Sequence, residues 1–217
     1  MAQNYPAQLL EFFDALQVTT ATLELPVTQQ VSRTAGGEVI TAELGASLWR
    51  GSVTLANRPF TQANAVLARL RLMARPGASF LMRPLGLAVP VSDPAGSVSG
   101  SSVTIDNLLA GGRELSLAGL PSGFVLTAGD CLSFSYGSTP VRYGFHQIVE
   151  PAVADGTGTT PVFEVVPPLH PGAAVGAQVA LINPVLKAVI DPGSVREGRE
   201  IRNKREGISF GWIQTLR

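Results

Sequence analysis

The chain has 217 residues, 45% of them hydrophobic, and its 16 basic residues balance 16 acidic ones. That length and apolar content support a packed core in one large domain or two small ones, and a net charge of zero gives no electrostatic case for a nucleic-acid or acidic-substrate partner. Cys131 is the only cysteine, which excludes an intrachain disulfide, and no apolar run approaches a membrane span.

The N-terminal stretch MAQNYPAQLLEFFDALQ has no positive leading region and is interrupted by Glu11 and Asp14, so it does not read as a signal peptide. The expectation is folding in a reducing cytosol, or in a virus that assembles there. Residues 5–17 predict a short helix carrying Leu9, Leu10, Phe12, Phe13 and Leu16. Residues 19–25 are β-branched and predict a strand. Residues 29–38 are polar around Ala35-Gly36-Gly37, a turn or loop signal, and residues 38–43 resume as a strand.

Residues 44–77 form the unit around which the rest is arranged. Residues 47–55 read as a strand with Trp49, Val53 and Leu55. Asn57-Arg58-Pro59 breaks it, and Thr61 is placed to cap a helix with its hydroxyl. Ala63, Val66, Leu67, Leu70 and Met73 follow at three- and four-residue spacing, one helical face. Arg75-Pro76-Gly77 ends the helix. No second stretch is so clearly helical, and a lone amphipathic helix must lie across a sheet. Residues 80–83 read as a short strand.

From residue 85 to about 184 short strands recur between turn signals. Residues 103–105, 114–117 and 124–126 are candidates, with Gly111-Gly112, Leu120-Pro121-Ser122-Gly123 and Ala128-Gly129-Asp130 as turns. Leu132, Phe134 and Tyr136 alternate with Ser133 and Ser135, a half-buried strand. Residues 143–150 put Phe145, Gln147 and Val149 on one face and His146 and Ile148 on the other. Asp155-Gly156-Thr157-Gly158 is a hairpin turn, followed by strands over 162–166 and 175–182. Such spacing indicates a small antiparallel barrel or sandwich. Residues 186–190 are apolar, 194–206 are charged, and 208–212 alternate as a terminal strand that needs a sheet to join. The natural host is the N-terminal part. The division that follows is a discontinuous domain, 1–85 plus 185–217, with an inserted domain over 86–184; the alternative is one elongated β domain.

Chemical motifs are few. His146 and His170 have no partner at metal-ligand spacing. The stretch Gly96-Ser97-Val98-Ser99-Gly100 has Val98 where a nucleophile elbow needs serine. Cys131 enters a strand as a small hydrophobe. Asp130 and Asp155 stand beside glycines in ordinary turn chemistry, and no phosphate-binding loop occurs. No catalytic, metal or cofactor residue is assigned, and the chain is not expected to be an enzyme. The charged run has two readings, a solvated linker or a subunit contact made by Arg196, Arg199, Glu200, Arg202, Lys204, Arg205 and Glu206, whose long arginines can pair with a neighbour.

The order of these features resembles the distal tail proteins of long-tailed phages and gene transfer agents. The residues that carry the resemblance are Trp49-Arg50-Gly51, the helix over 61–73, Ala128-Gly129-Asp130 with its alternating strand, and His146-Gln147-Ile148-Val149-Glu150. Ala154-Asp155-Gly156-Thr157-Gly158, Val165-Val166-Pro167-Pro168-Leu169 and Gly207-Ile208-Ser209-Phe210 extend it. The resemblance implies a hexameric ring at the virion tail tip, assembled in the host bacterial cytoplasm. It implies contacts with the tail tube protein, the tail hub and the tape measure protein, and no membrane or sequence-specific nucleic-acid partner. The resemblance implies a ring-forming belt domain and an outer, barrel-like domain; with the division read from the residues, the expected fold is mainly β with one principal helix, a discontinuous belt-type β-sandwich domain with an inserted small antiparallel β-barrel domain. Family members with a third domain differ from this chain, as do those whose outer domain is appended. The alternatives are a tail tube or tail-completion protein, and a carbohydrate-binding module that uses Tyr136, Tyr143 or Phe145 against a host glycan.

Overall fold

The computed structural model describes residues 4–27 and 29–217; the first three residues of the stretch read for a signal peptide lie outside them. The protein is mainly β with one helix. The chain first forms β1 (Val18–Ala21), β2 (Gln29–Arg33), β3 (Val39–Glu43), β4 (Arg50–Leu55), the short β5 (Arg58–Pro59), α1 (Phe60–Met73) and β6 (Phe80–Met82). Its middle holds β7 (Thr104–Leu108), β8 (Glu114–Ala118), β9 (Val125–Leu126), β10 (Cys131–Tyr136), β11 (Arg142–Ile148), β12 (Ala152–Val153), β13 (Phe163–Val166) and β14 (Val179–Ala180). It ends with β15 (Leu186–Ile190), β16 (Arg199–Ile201), β17 (Lys204–Glu206) and β18 (Ser209–Gln214).

Both ends of the chain build the main sheet, in the order β1-β4-β18-β15-β6. The alternating C-terminal segment, β18, lies between β4 and β15, with Phe210 opposite Val53 and Trp212 opposite Gly51. Gly51 is required there. A Cβ on it would come within 1.9 Å of the Thr22 carbonyl oxygen and 3.0 Å of the Trp212 ring. The helix buries Ala63, Val66, Leu67, Leu70 and Met73, the stripe expected from spacing. These side chains join Val53, Leu55, Phe80, Phe210 and Trp212 in one core, because a helix this short holds only when its apolar face is covered.

The ends of these elements differ from the sequence reading. Thr61 does not cap α1. The helix starts at Phe60, with no side-chain cap, and the Phe60 N–H donates to the Asn203 carbonyl at 3.0 Å, so a neighbouring turn satisfies the helix start. Arg58 and Pro59 do not simply break the strand; they pair with β17. Arg58 is buried, its guanidinium donates to the Leu16 and Ala56 carbonyls, and burial lowers its pKa. Residues 5–17 hold only a 3-10 turn at Asp14–Leu16. Phe12 and Phe13 are both buried, as is Leu16, so the stretch packs on the core without forming an α-helix. Residues 29–33, read as loop, form β2 and pair with β3 around the Ala35-Gly36-Gly37 turn.

The middle of the chain forms a six-stranded sheet in the order β14-β10-β11-β13-β8-β7. A Thr104–Gln178 bridge, with the Val179 N–H donating to the Val103 carbonyl at 2.8 Å, brings its first and last strands together into a nearly closed barrel. Leu115, Leu117, Leu132, Phe134, Ile148, Phe163 and Val165 fill a second core. The strand expected over 175–182 shortens to β14. Strand β10 is not half-buried as its alternation suggests. Cys131 and Ser133 are buried too, because the outer face of the barrel packs on the sheet domain, where Cys131 and Phe145 join the first core. Trp49 ties the two bodies: its indole N–H donates to the Phe145 carbonyl at 3.0 Å and its ring meets Phe145 edge-on at 5.7 Å.

Candidate functional site

The charged run is a hairpin rather than a linker. Strands β16 and β17 pair with Arg199 opposite Glu206 and Glu200 opposite Arg205, an arrangement that sets opposite charges across the ladder. Arg199 lies 3.6 Å from Glu206, and Arg205 donates to Glu200. The Arg205 guanidinium also stands 5.3 Å over the Phe60 ring and is buried, leaving its Nε without a partner. Arg71 of α1 grips Glu197 through Nε at 3.1 Å and Nη2 at 2.5 Å, and these hydrogen bonds, helped by its charge, hold the Glu197 carboxyl below the usual range. Four of the seven residues singled out from sequence, Arg199, Glu200, Arg205 and Glu206, are therefore paired inside the chain. Arg196 bridges Ser209 through its backbone. Arg196, Arg202 and Lys204 have exposed side chains with no ion pair among the described residues.

A second hairpin was not singled out from sequence. Strands β2 and β3 form a two-stranded sheet of their own. Val31 is 57% exposed, Val39 57% and Ile40 55%, with Val27 and Leu44 at 62% flanking them. An isolated two-stranded hairpin is marginal in water. The signal for it is modest: β-branched residues on both sides of a Gly-Gly turn. At the edge of the main sheet, β1 pairs with β4 on one side and, among the described residues, with no strand on the other. The opposite edge, β6, is covered by a parallel bridge from Ala7 to Phe80.

The barrel holds the titratable groups that a catalytic reading would need; most have a structural partner, while the Nε2 atoms of His146 and His170 are buried without one among the described residues. His146 is buried, its ring stacked on Phe134 at 5.5 Å. Its Nδ1 pairs with the Pro167 carbonyl at 2.7 Å, and since a carbonyl only accepts, Nδ1 carries the proton and Nε2 is left as an unpartnered acceptor. Burial pulls its pKa down to about 4, and His170, 6.2 Å away, is lowered for the same reason. Burial, with Asp130 adding, pushes the Cys131 thiol up to about 12, which leaves it unreactive. Asp130 accepts the N–H groups of Val91 and Thr127, and Asp155 those of Thr157 and Thr159. In the Gly96–Gly100 stretch Val98 is buried, and Ser97 donates to Asp93. Among the described residues no three His, Cys, Asp or Glu side chains gather where they would hold a metal. Of the aromatics considered for a glycan, Tyr136 and Phe145 are buried and Tyr143 is half-buried.

No protein-family model matches the chain, and no curated protein matches it either. No helix among the described residues is long and apolar enough to cross a membrane.

Proposed function

We propose that the chain is a structural subunit of a phage tail tip, a ring that joins the tail tube to the hub. One observation carries this reading: among the described residues the β2–β3 hairpin pairs with no other strand, while the main sheet has an open edge at β1. An exposed hairpin with Val31, Val39 and Ile40 on it is an assembly element, because extended backbone adds to a free sheet edge through main-chain hydrogen bonds. Hairpin and edge are different surfaces of the same molecule. Copies that join one to the other make a heterologous contact, which closes into a ring when the rotation allows. The family resemblance in the sequence supplies the context and the expected number of copies, six. Tube protein, hub and tape measure protein are the partners of that reading, and it needs no catalytic centre.

The test is the mass of the purified full-length protein by sedimentation, with negative-stain images of the same sample. Ring-shaped particles are expected, and Ile40→Glu with Val31→Glu should yield monomers with unchanged circular dichroism. A monomer at every concentration reached, both alone and with the tail tube protein, overturns the reading. So do rings that the double substitution leaves intact.

A further inference from the structure

The barrel carries a groove on its surface. Its volume is about 590 Å³, within the range of small-molecule sites. It crosses β10, β11 and β14, which are neighbours in the barrel. Ser135 and Tyr143 lie directly opposite each other in the ladder and share one face. The alternate residues Leu132, Phe134 and Tyr136 belong to the barrel core, and Phe134, with Val103, Val179 and Leu181 of the same core, gives the groove an apolar floor. The 3-10 turn Ser97–Gly100 and the segment 182–185 form its sides.

The chemistry of the lining is specific. No lining residue is charged. Ser133 is engaged, its Oγ accepting from the Val185 N–H. The side chains of Ser99, Ser101, Ser135, Gln178 and Tyr143 make no hydrogen bond to protein among the described residues. An ion bound here would lose water without gaining a counter-charge. A peptide strand would find no free ladder, because β10 is already paired on both sides, by β11 and β14. What remains is a neutral ligand dense in hydroxyls with an apolar face of C–H groups. The hydroxyls match the serines and the Gln178 carboxamide, and the C–H face matches the electron-rich face of the Tyr143 ring.

We propose that this groove binds a short neutral oligosaccharide, with Tyr143 as its stacking platform and Ser99, Ser101, Ser135 and Gln178 as its hydrogen-bonding groups. The site lies within one chain, so it stands whether or not the ring forms.

Saturation-transfer difference NMR on the full-length protein tests this, with neutral homo-oligomers of glucose, galactose and N-acetylglucosamine as probes and a sulfated oligosaccharide as the charged control. The expected result is saturation of pyranose C–H protons in at least one neutral oligomer and none in the control. Tyr143→Ala should abolish it, Tyr143→Phe should keep it, and Gln178→Ala should weaken it several-fold. Val153→Ser, on the separate β9–β12 ribbon, should leave it unchanged. Should Tyr143→Ala fail to fold, Ala180→Trp, which fills the groove, replaces it and should also abolish the signal. Absence of saturation with every neutral oligomer, an equal signal in the blocked variants, or preference for the sulfated probe overturns the proposal.

Discussion

The two bodies of this protein handle their strand edges in opposite ways. The barrel closes on itself through the Thr104–Gln178 bridge, and its strands come from one continuous stretch of chain. Among the described residues the main sheet draws strands from both ends of the chain and leaves β1 open at its edge, and the β2–β3 hairpin pairs with no other strand. A closed edge has no main-chain groups left to offer, whereas an open one is a template for pairing. The assembly contact proposed above draws on this open edge of the sheet domain, and the proposed ligand groove on side chains of the closed barrel. The two hairpins repeat the lesson on a smaller scale. The charged one, β16–β17, is paired with α1, with β5 and within itself. The apolar one, among the described residues, pairs only within itself.

The largest test of this contrast is removal of residues 207–217. This deletes β18 from the middle of the main sheet, together with the buried Phe210 and Trp212. Each aromatic is worth about 3–5 kcal/mol when truncated, so the sheet domain should be lost outright. The barrel should keep its own cooperative transition, as should residues 86–184 expressed alone. Calorimetry of the truncated protein with no remaining transition would show that the barrel depends on the sheet.

Acid should separate the bodies next. Both histidines, His146 and His170, are in the barrel. His146 titrates near 4 in the fold against 6.5 when unfolded. The unfolded chain thus binds the proton first, and the stability from a neutral His146 is complete above pH 6.5, falls as pH drops toward 4, and is flat below. The expected loss is about 3 kcal/mol. Denaturant unfolding followed at pH 7 and pH 4 should show the barrel weakened relative to the sheet domain. His146→Phe, which keeps the stack on Phe134, should flatten that dependence.

A smaller effect is expected where the bodies meet. Trp49→Phe removes the hydrogen bond to the Phe145 carbonyl and leaves an aromatic ring against Phe145. The expected cost is about 1 kcal/mol, measured as a lower unfolding midpoint, with the two transitions drawing apart if this contact couples them. The smallest effect is expected in the unpaired hairpin. Ile40→Glu should change the stability of the isolated chain by no more than about 0.5 kcal/mol, because Ile40 is 55% exposed. A large loss in the monomer would mean that the hairpin packs on its own chain, and the contrast would fail.

Local sequence determined the parts of this fold whose cause is local. The spacing of Ala63, Val66, Leu67, Leu70 and Met73 specifies a helix and its buried face. The alternation of Leu132, Phe134 and Tyr136 specifies a strand and which side turns inward, and the Gly-Asp and Asp-Gly pairs specify turns. The tertiary structure decided what covers each face and what satisfies each end. Periodicity records that a face is buried but not by which body, so Cys131 and Phe145 went unrecognised as contacts between the two domains. A helix start needs an acceptor, and here the Asn203 carbonyl supplies it from the far end of the chain. The charges of residues 196–206 look alike in sequence. Only the ladder register shows that Arg199 and Arg205 are already paired. Strand β2 is exposed along its whole length, and a strand without a covered face carries no apolar alternation to read.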